Sequence, residues 1–318
     1  MLIALGMLCA GLALLYGGGS WLVRGASSVA LRAGMSPFMV GLTVVAFATS
    51  GPELVVSVTS VLEGADDVAL GNVVGSNIAN IGLVLALSVL VRPVRVEAKV
   101  LRSDMPWLFL VTLLVVWWLM NGRLQRLEGL ALFAGLILFV FQNLRLSGQE
   151  SSKVLAEFNK AVSESVPDSL NAWLLVLAGM AALGGGGTVF VEGAIRISEL
   201  AGVSKGLVGL TIVAVGTSLP ELATSIIASM KDEGDMAAGN VIGSNFFNLL
   251  GVLGLTSLIH PLHLGDVQIF DLLAMAGMTA ILIPIMYSGF RISRGEGLAL
   301  LLFYGGYLVF LAQRLPSG

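Results

Sequence analysis

Two glutamates stand in the middle of apolar sequence, each directly after a proline: Glu53 in ATSGPELVVS and Glu221 in GTSLPELATS. A charged side chain at the centre of a membrane helix costs at least ~2.5 kcal/mol. The apolar sequence around them, 36–62 and 206–230, contains no lysine or arginine to pair with either carboxylate, so a proton or a bound cation must neutralise them. A proline inside a helix removes one hydrogen bond and clashes with the carbonyl one turn back. Pro52 and Pro220 should therefore break their helices and leave carbonyls around Ala46–Thr49 and Ala214–Thr217 short of donors. Thr49, Ser50, Thr217 and Ser218 add hydroxyl oxygens at the same break. Downstream, GNVVGSNIAN (71–80) places Asn72, Ser76 and Asn80 one helical turn apart on one face, and GNVIGSNFFN (239–248) does the same for Asn240, Ser244 and Asn248. Carboxylate, hydroxyl, amide and carbonyl oxygens without sulfur or imidazole form a hard donor set, suited to Ca2+ or Na+ and not to zinc or copper.

The elements that must hold these residues are membrane helices. Of 318 residues, 56% are hydrophobic and only 12% charged, with mean hydropathy +0.93. A soluble domain carries roughly 25% charged residues. Ten stretches are long and apolar enough to span a bilayer: 2–23, 36–62, 68–91, 104–121, 128–146, 171–195, 204–230, 236–259, 267–289 and 296–313. The N-terminal stretch lacks the basic region of a signal peptide and is read as a mature helix. The polar segment 147–169 divides the chain into 1–146 and 170–318, five segments each. Basic patches with interleaved aromatics are absent, which argues against nucleic acid.

The halves are copies. At an offset of 168, residues 40–82 align with 208–250 without a gap, and 21 of 43 positions are identical. A lone Pro-Glu pair is readily a kink with a packing residue; two at a fixed offset, each with a following Ser/Asn stripe, argue for a site. Five segments per half predict that the copies are inverted in the bilayer. With both termini outside, twelve lysines and arginines fall on the inner side and five on the outer, so the positive-inside rule favours N-out/C-out with a cytoplasmic linker. The chain is expected to be an all-α polytopic protein of ten transmembrane helices in two inverted five-helix repeats, an architecture of secondary transporters.

Other features read more plainly. Gly17–Gly19 and Gly184–Gly187 either pack helices closely or give the first and sixth a smooth sliding surface. His260, His263 and Asp266 have spacing for a surface metal site, but a solvated turn is favoured. The acidic loop 63–67 reads as a polar turn, and Cys9 as a packed, inert thiol.

GTSLPE and GNVIGSN, duplicated in two halves, resemble the α-repeats of the Ca2+/cation antiporter superfamily, and most closely its prokaryotic sodium/calcium exchanger branch. The resemblance covers essentially the whole chain. It implies a core made of the second, third, seventh and eighth helices, across which the first and sixth slide. It implies that Glu53 and Glu221 are shared by Ca2+ and competing Na+. Ala46, Thr49, Ala214 and Thr217 would give backbone or hydroxyl oxygens, Ser50, Ser76, Ser218 and Ser244 side-chain oxygens, and Asn80 and Asn248 the centre. The first copy departs from the pattern, with Ala48 and Gly51 in ATSGPE. Some relatives carry Asp where this chain has Asn80 and Asn248, so here two carboxylates bear the whole countercharge. The expected function is Ca2+/Na+ antiport in the cytoplasmic membrane, with no cofactor and no enzymatic activity. A Ca2+/H+ or K+-dependent antiporter shares the same site and stays open. A cation channel is a lesser reading. An intramembrane enzyme on lipid phosphates would need cationic residues that the motif segments lack.

Overall fold

The computed structural model describes residues 1–33, 35–96, 100–147, 169–200, 214–265 and 267–313. Positions 148–168 of the expected linker and 204–213 of the expected seventh segment lie outside them. Among the described residues, eight helices are long and apolar enough to cross a membrane. The count is nine when the bent pair Phe38–Thr49 and Gly51–Leu62 is one span, and Leu219–Met230 is a further, shorter apolar helix.

Two helices of 32 residues each, Leu2–Ala33 and Ser169–Leu200, pack along each other's length. Their contacts run in opposite directions: Gly11 meets Phe190, Gly18 meets Ala182 and Leu183, Gly25 meets Ala172 and Val176, and Gly193 meets Ala4 and Leu8. The pair is thus antiparallel. A Cβ built at Gly18 would stand 2.9 Å from the Leu183 nitrogen, and one at Gly186 2.8 Å from the Leu14 Cβ. Small residues at helical spacing let backbones approach this closely. The contact glycines, 11, 18 and 25 with 179, 186 and 193, recur every seven residues and match at the offset of 168. Only part of the glycine clusters takes part: Gly17, Gly184 and Gly185 meet nothing within 4 Å among the described residues. Cys9 is exposed on the first of these helices, which corrects its reading as a packed thiol.

The remaining helices form the body beneath this pair. Asp66–Ala79 continues through a π-helical turn, Asn80–Leu85, into Ala86–Val91. Its counterpart runs Gly234–Phe246, Phe247–Val252 and Leu253–Ile259, again with the π turn in the middle. These two asparagine helices are mostly buried within the protein. Gly239 and Gly243 lie under the carbonyls of Phe38 and Leu42, closer than any Cβ could fit.

The halves are stitched by contacts the sequence did not announce. Strand Val94–Arg95 pairs with Arg291–Ile292, and Arg123–Leu124 pairs with Leu262–His263, both antiparallel. The two ribbons are one contact made twice, since 94 and 124 become 262 and 292 on adding 168. The helix Met105–Leu119 joins one ribbon to the other, so they lie at opposite ends of it. Arg126 donates to the Ile259 carbonyl (3.1 Å), and Arg294 donates to those of Leu90 and Val91 (3.0 and 3.1 Å). Each arginine thus caps the C-terminal, negative end of the other half's asparagine helix.

Two polar ties join the first helix to the turn before Gly234, one of them from Lys231 Nζ to the Ser20 carbonyl (3.3 Å). Ser27 Oγ lies 2.6 Å from Glu233 Oε2 and 2.8 Å from the Val23 carbonyl. A hydroxyl has a single hydrogen, so Ser27 divides its one donor between these two oxygens. Burial pushes the Glu233 carboxyl above the usual range, and only in part do Ser27 and Lys231 oppose it.

Two predictions follow from these contacts. Leu at Gly18 or Gly186 should lower stability by about 1–3 kcal/mol, the usual scale of overpacking, whereas Gly17→Leu should not; thermal unfolding in detergent reads the contrast. A carboxyl whose folded pKa is raised contributes stability that is complete below its unfolded pKa and is lost as pH rises through the folded value. The midpoint of unfolding should therefore fall as pH climbs above the ordinary carboxylate range, and Glu233→Gln should flatten that fall.

Candidate functional site

Proline places the carboxylates by starting helices rather than bending them. Ser50 leaves helical geometry with φ −79° and ψ 6°, and Ser218 does so with φ −86° and ψ 6°. Pro52 and Pro220 then occupy the first positions of new helices, Gly51–Leu62 and Leu219–Met230, where the missing N–H costs nothing. The first break bends the chain by 42°. Glu53 and Glu221 fall in the first turn of their half-helices, at the end whose partial charge is positive.

Both carboxylates are inaccessible, at 1% and 0% exposure. Among the described residues neither makes an ion pair. Both oxygens of Glu53 and Oε2 of Glu221 have no hydrogen-bond partner. Oε1 of Glu221 accepts from Ser50 Oγ at 3.2 Å, a contact from the other half of the chain. The hydroxyls of Thr49, Ser50 and Ser244 gather around Glu221, and that of Ser218 faces Glu53. Ser76, Ser218 and Ser244 Oγ, Asn80 Oδ1 and both polar atoms of Asn248 are likewise buried without a partner. Buried polar groups in folded proteins are almost always satisfied. A cluster of partnerless oxygens around two unpaired carboxylates has the composition of a cation site.

The asparagine stripes divide their labour. Asn72 Nδ2 donates to the Glu53 carbonyl (3.1 Å) and to Ser57 Oγ (2.9 Å). Asn240 Nδ2 does the same toward the Glu221 carbonyl (3.5 Å) and Ser225 Oγ (2.9 Å). Their oxygens accept across the halves, Asn72 from Thr217 Oγ1 at 3.3 Å and Asn240 from Thr49 Oγ1 at 3.2 Å. Asn72 and Asn240 therefore hold the half-helices in place, while Ser76, Asn80, Ser244 and Asn248 keep oxygens free. Thr49 and Thr217 spend their hydroxyls on these latches. The Ala46 carbonyl, expected to be short of donors, accepts the Ser50 N–H (2.9 Å). The carbonyl that Pro52 deprives of its helical donor is that of Ala48, four residues earlier. Ala214 begins the described part of its helix, and its side chain lies outside the described residues.

Sequence reasoning missed Ser57, Ser225, Asn77 and Asn245. Asn80 Nδ2 donates to Asn245 Oδ1 at 3.1 Å, bridging the two asparagine helices. The repeated GSN tripeptide carried that signal. His260 and His263 turn their Nδ1 atoms to Asp66, at 3.4 and 3.0 Å, and Asp266 lies outside the described residues. Among the described residues no group of three or more His, Cys, Asp or Glu could hold a metal.

Removing a latch strands buried partners. Asn240→Leu or Asn72→Leu should destabilise the protein by about 1–3 kcal/mol, the cost of leaving such groups unsatisfied, measured by thermal unfolding without added divalent ions.

Comparison with known proteins places the chain in a family. The sequence model of the family described as sodium/calcium exchanger protein matches residues 3–144 and 171–313. The chain is 38% identical over 318 residues to the putative antiporter CaxA of Alkalimonas amylolytica, covering 98% of this chain and 99% of that protein. It is 34% identical over 343 residues to the sodium/calcium exchanger MaX1 of Methanosarcina acetivorans, covering 96% and 97%. Among solved structures, the sodium-calcium exchanger NCX_Mj soaked with Na+ and Sr2+ superposes with a TM-score of 0.84 at 28% identity, covering 99% of each chain. This chain belongs to the sodium/calcium exchanger family, a family of multi-pass membrane transporters and not of enzymes.

Proposed function

We propose that the protein is a secondary antiporter of the cytoplasmic membrane that exchanges Ca2+ for Na+ at one central site. The observation that carries the reading is the pair Glu53 and Glu221: fully buried, without ion pairs among the described residues, and ringed by partnerless oxygens. Two negative charges balance one Ca2+ or two monovalent cations, so the two ions compete for the same oxygens. Ser50, Ser76, Ser218 and Ser244 complete the donor set with Asn80 and Asn248. Ala46, Thr49, Ala214 and Thr217 line the breaks from which these donors project.

Ten membrane helices in two inverted halves, with both termini outside, fit this reading. The antiparallel packing of Leu2–Ala33 on Ser169–Leu200 supports the inversion, because these helices correspond at the offset of 168. Their glycine-lined interface suits displacement along the body, which would open the site to each side in turn. A cation can shift that balance only by interacting differently with the two states. Bare carboxylates resist enclosure in a low dielectric, and neutralised ones do not.

The test is uptake of radioactive Ca2+ into proteoliposomes under an imposed Na+ gradient and, separately, an imposed pH gradient. Uptake should be Na+-driven and should fall to the level of protein-free liposomes in Glu53→Gln and Glu221→Gln proteins that remain folded. Uptake driven by pH alone would replace Na+ with H+ as the counter-ion. Robust uptake by either Gln variant would remove the site.

A further inference from the structure

We propose that Asn245 is a positioning residue of the cation site, which fixes the Asn80 amide so that its oxygen faces the ions, and that Asn77 does the same for Asn248 when a cation binds. The inference rests on the cation-exchange reading above. Asn77 and Asn245 are both buried, and neither belongs to the donor set. They exchange places under the offset of 168 that relates the halves, as do Asn80 and Asn248.

An asparagine side chain has a donor end and an acceptor end of nearly the same shape. A hard cation accepts only the oxygen. An amide free to rotate therefore wastes half of its orientations and can turn an N–H toward the ion. Asn80 is not free: its nitrogen is held by Asn245 Oδ1 at 3.1 Å, and the end left over is Oδ1, buried and without a partner. That is the orientation a cation needs.

The second half lacks the equivalent bond. Both polar atoms of Asn248 are buried without partners. Asn77 gives its nitrogen to the Val73 carbonyl at 2.8 Å and keeps a buried, unsatisfied Oδ1. The latches, ribbons and arginine caps match from half to half, but here the correspondence fails. One part of the site is preorganised and the other is open. A cation that draws in Asn248 Oδ1 swings Nδ2 outward, and the repeat relation places Asn77 Oδ1 to receive it. Forming that bond satisfies two orphaned atoms, so closure of the second amide adds to cation affinity.

The experiment measures cation binding directly, by the rise in unfolding temperature of detergent-purified protein titrated with Ca2+ and, separately, with Na+. Asn245→Leu should weaken apparent Ca2+ affinity roughly tenfold, equivalent to about 1.4 kcal/mol. Asn245→Asp, which retains an acceptor for Asn80, should not weaken it. Should Asn245→Leu fail to fold, Asn245→Ser carries the same test, its hydroxyl being too short to reach Asn80. The double variant Asn80→Leu/Asn245→Leu should bind no more weakly than Asn80→Leu alone, as expected when one residue acts through the other. A purely structural Asn245 would lower the ion-free unfolding temperature, leave the Ca2+ midpoint unchanged and add its effect to that of Asn80→Leu; either of the last two results overturns the proposal. Wild-type protein that binds Ca2+ but does not exchange it would count against the antiport reading alone, and wild-type protein that binds neither ion would overturn both.

Discussion

Two carboxylates enclosed without a fixed cation are the constraint from which the rest of the architecture follows. Holding a charge away from water costs several kcal/mol per ion even after relaxation. An arginine would solve the problem permanently and abolish transport. The chain instead uses partial charges. Each glutamate stands at the positive end of a half-helix, in reach of a hydroxyl from the other half, Ser218 for Glu53 and Ser50 for Glu221. Its backbone is anchored by an asparagine of the neighbouring helix. Position is fixed by neutral groups, and among the described residues no cationic side chain pairs with either carboxylate.

Neither half can build this arrangement alone. Thr49 must reach Asn240, Thr217 must reach Asn72, and Ser50 must reach Glu221. The ribbons and arginine caps also cross between halves. The body is therefore rigid wherever the halves interlock. The long glycine-lined pair is built differently, with backbone against backbone and few side-chain interlocks to break. Smooth packing resists separation but not sliding, and Ser27–Glu233 is one discrete polar tie that such a displacement must release.

The carboxylates, the helix breaks and the duplication were legible because each is a violation: charge in lipid, proline in a helix, and identity at a fixed offset. Which oxygens are left without a partner was not. Helical spacing puts Asn72 on the same face as Ser76 and Asn80, but it does not say that the Glu53 carbonyl passes beside Asn72 and takes its amide. The carbonyl left without its helical donor is also set by the exact place of the proline, which spares the Ser50 N–H that bonds Ala46 and removes the one that would bond Ala48. The ribbons are two residues long, too short for any period to show. The glycine ladder was hidden by the glycine runs around it, since Gly18 and Gly17 are equivalent as letters and opposite in surroundings.

Sequence divergence between the halves then acquires meaning. Perfect copies related by inversion would make the two open states equal in energy, and any bias must come from positions where the copies differ. Ser27 and Glu233 correspond to Ile195 and Ala65, so this buried tie exists at one end only. Arg92, bonded to Asp232 at 2.6 Å, corresponds to His260, which turns instead to Asp66. Arginine presents a planar fork of donors to its carboxylate, whereas histidine meets its carboxylate through one ring nitrogen. The ends of the protein are thus closed by ties of unlike chemistry. A duplicated scaffold supplies the common framework, and a few unmatched side chains make its two ends chemically unlike.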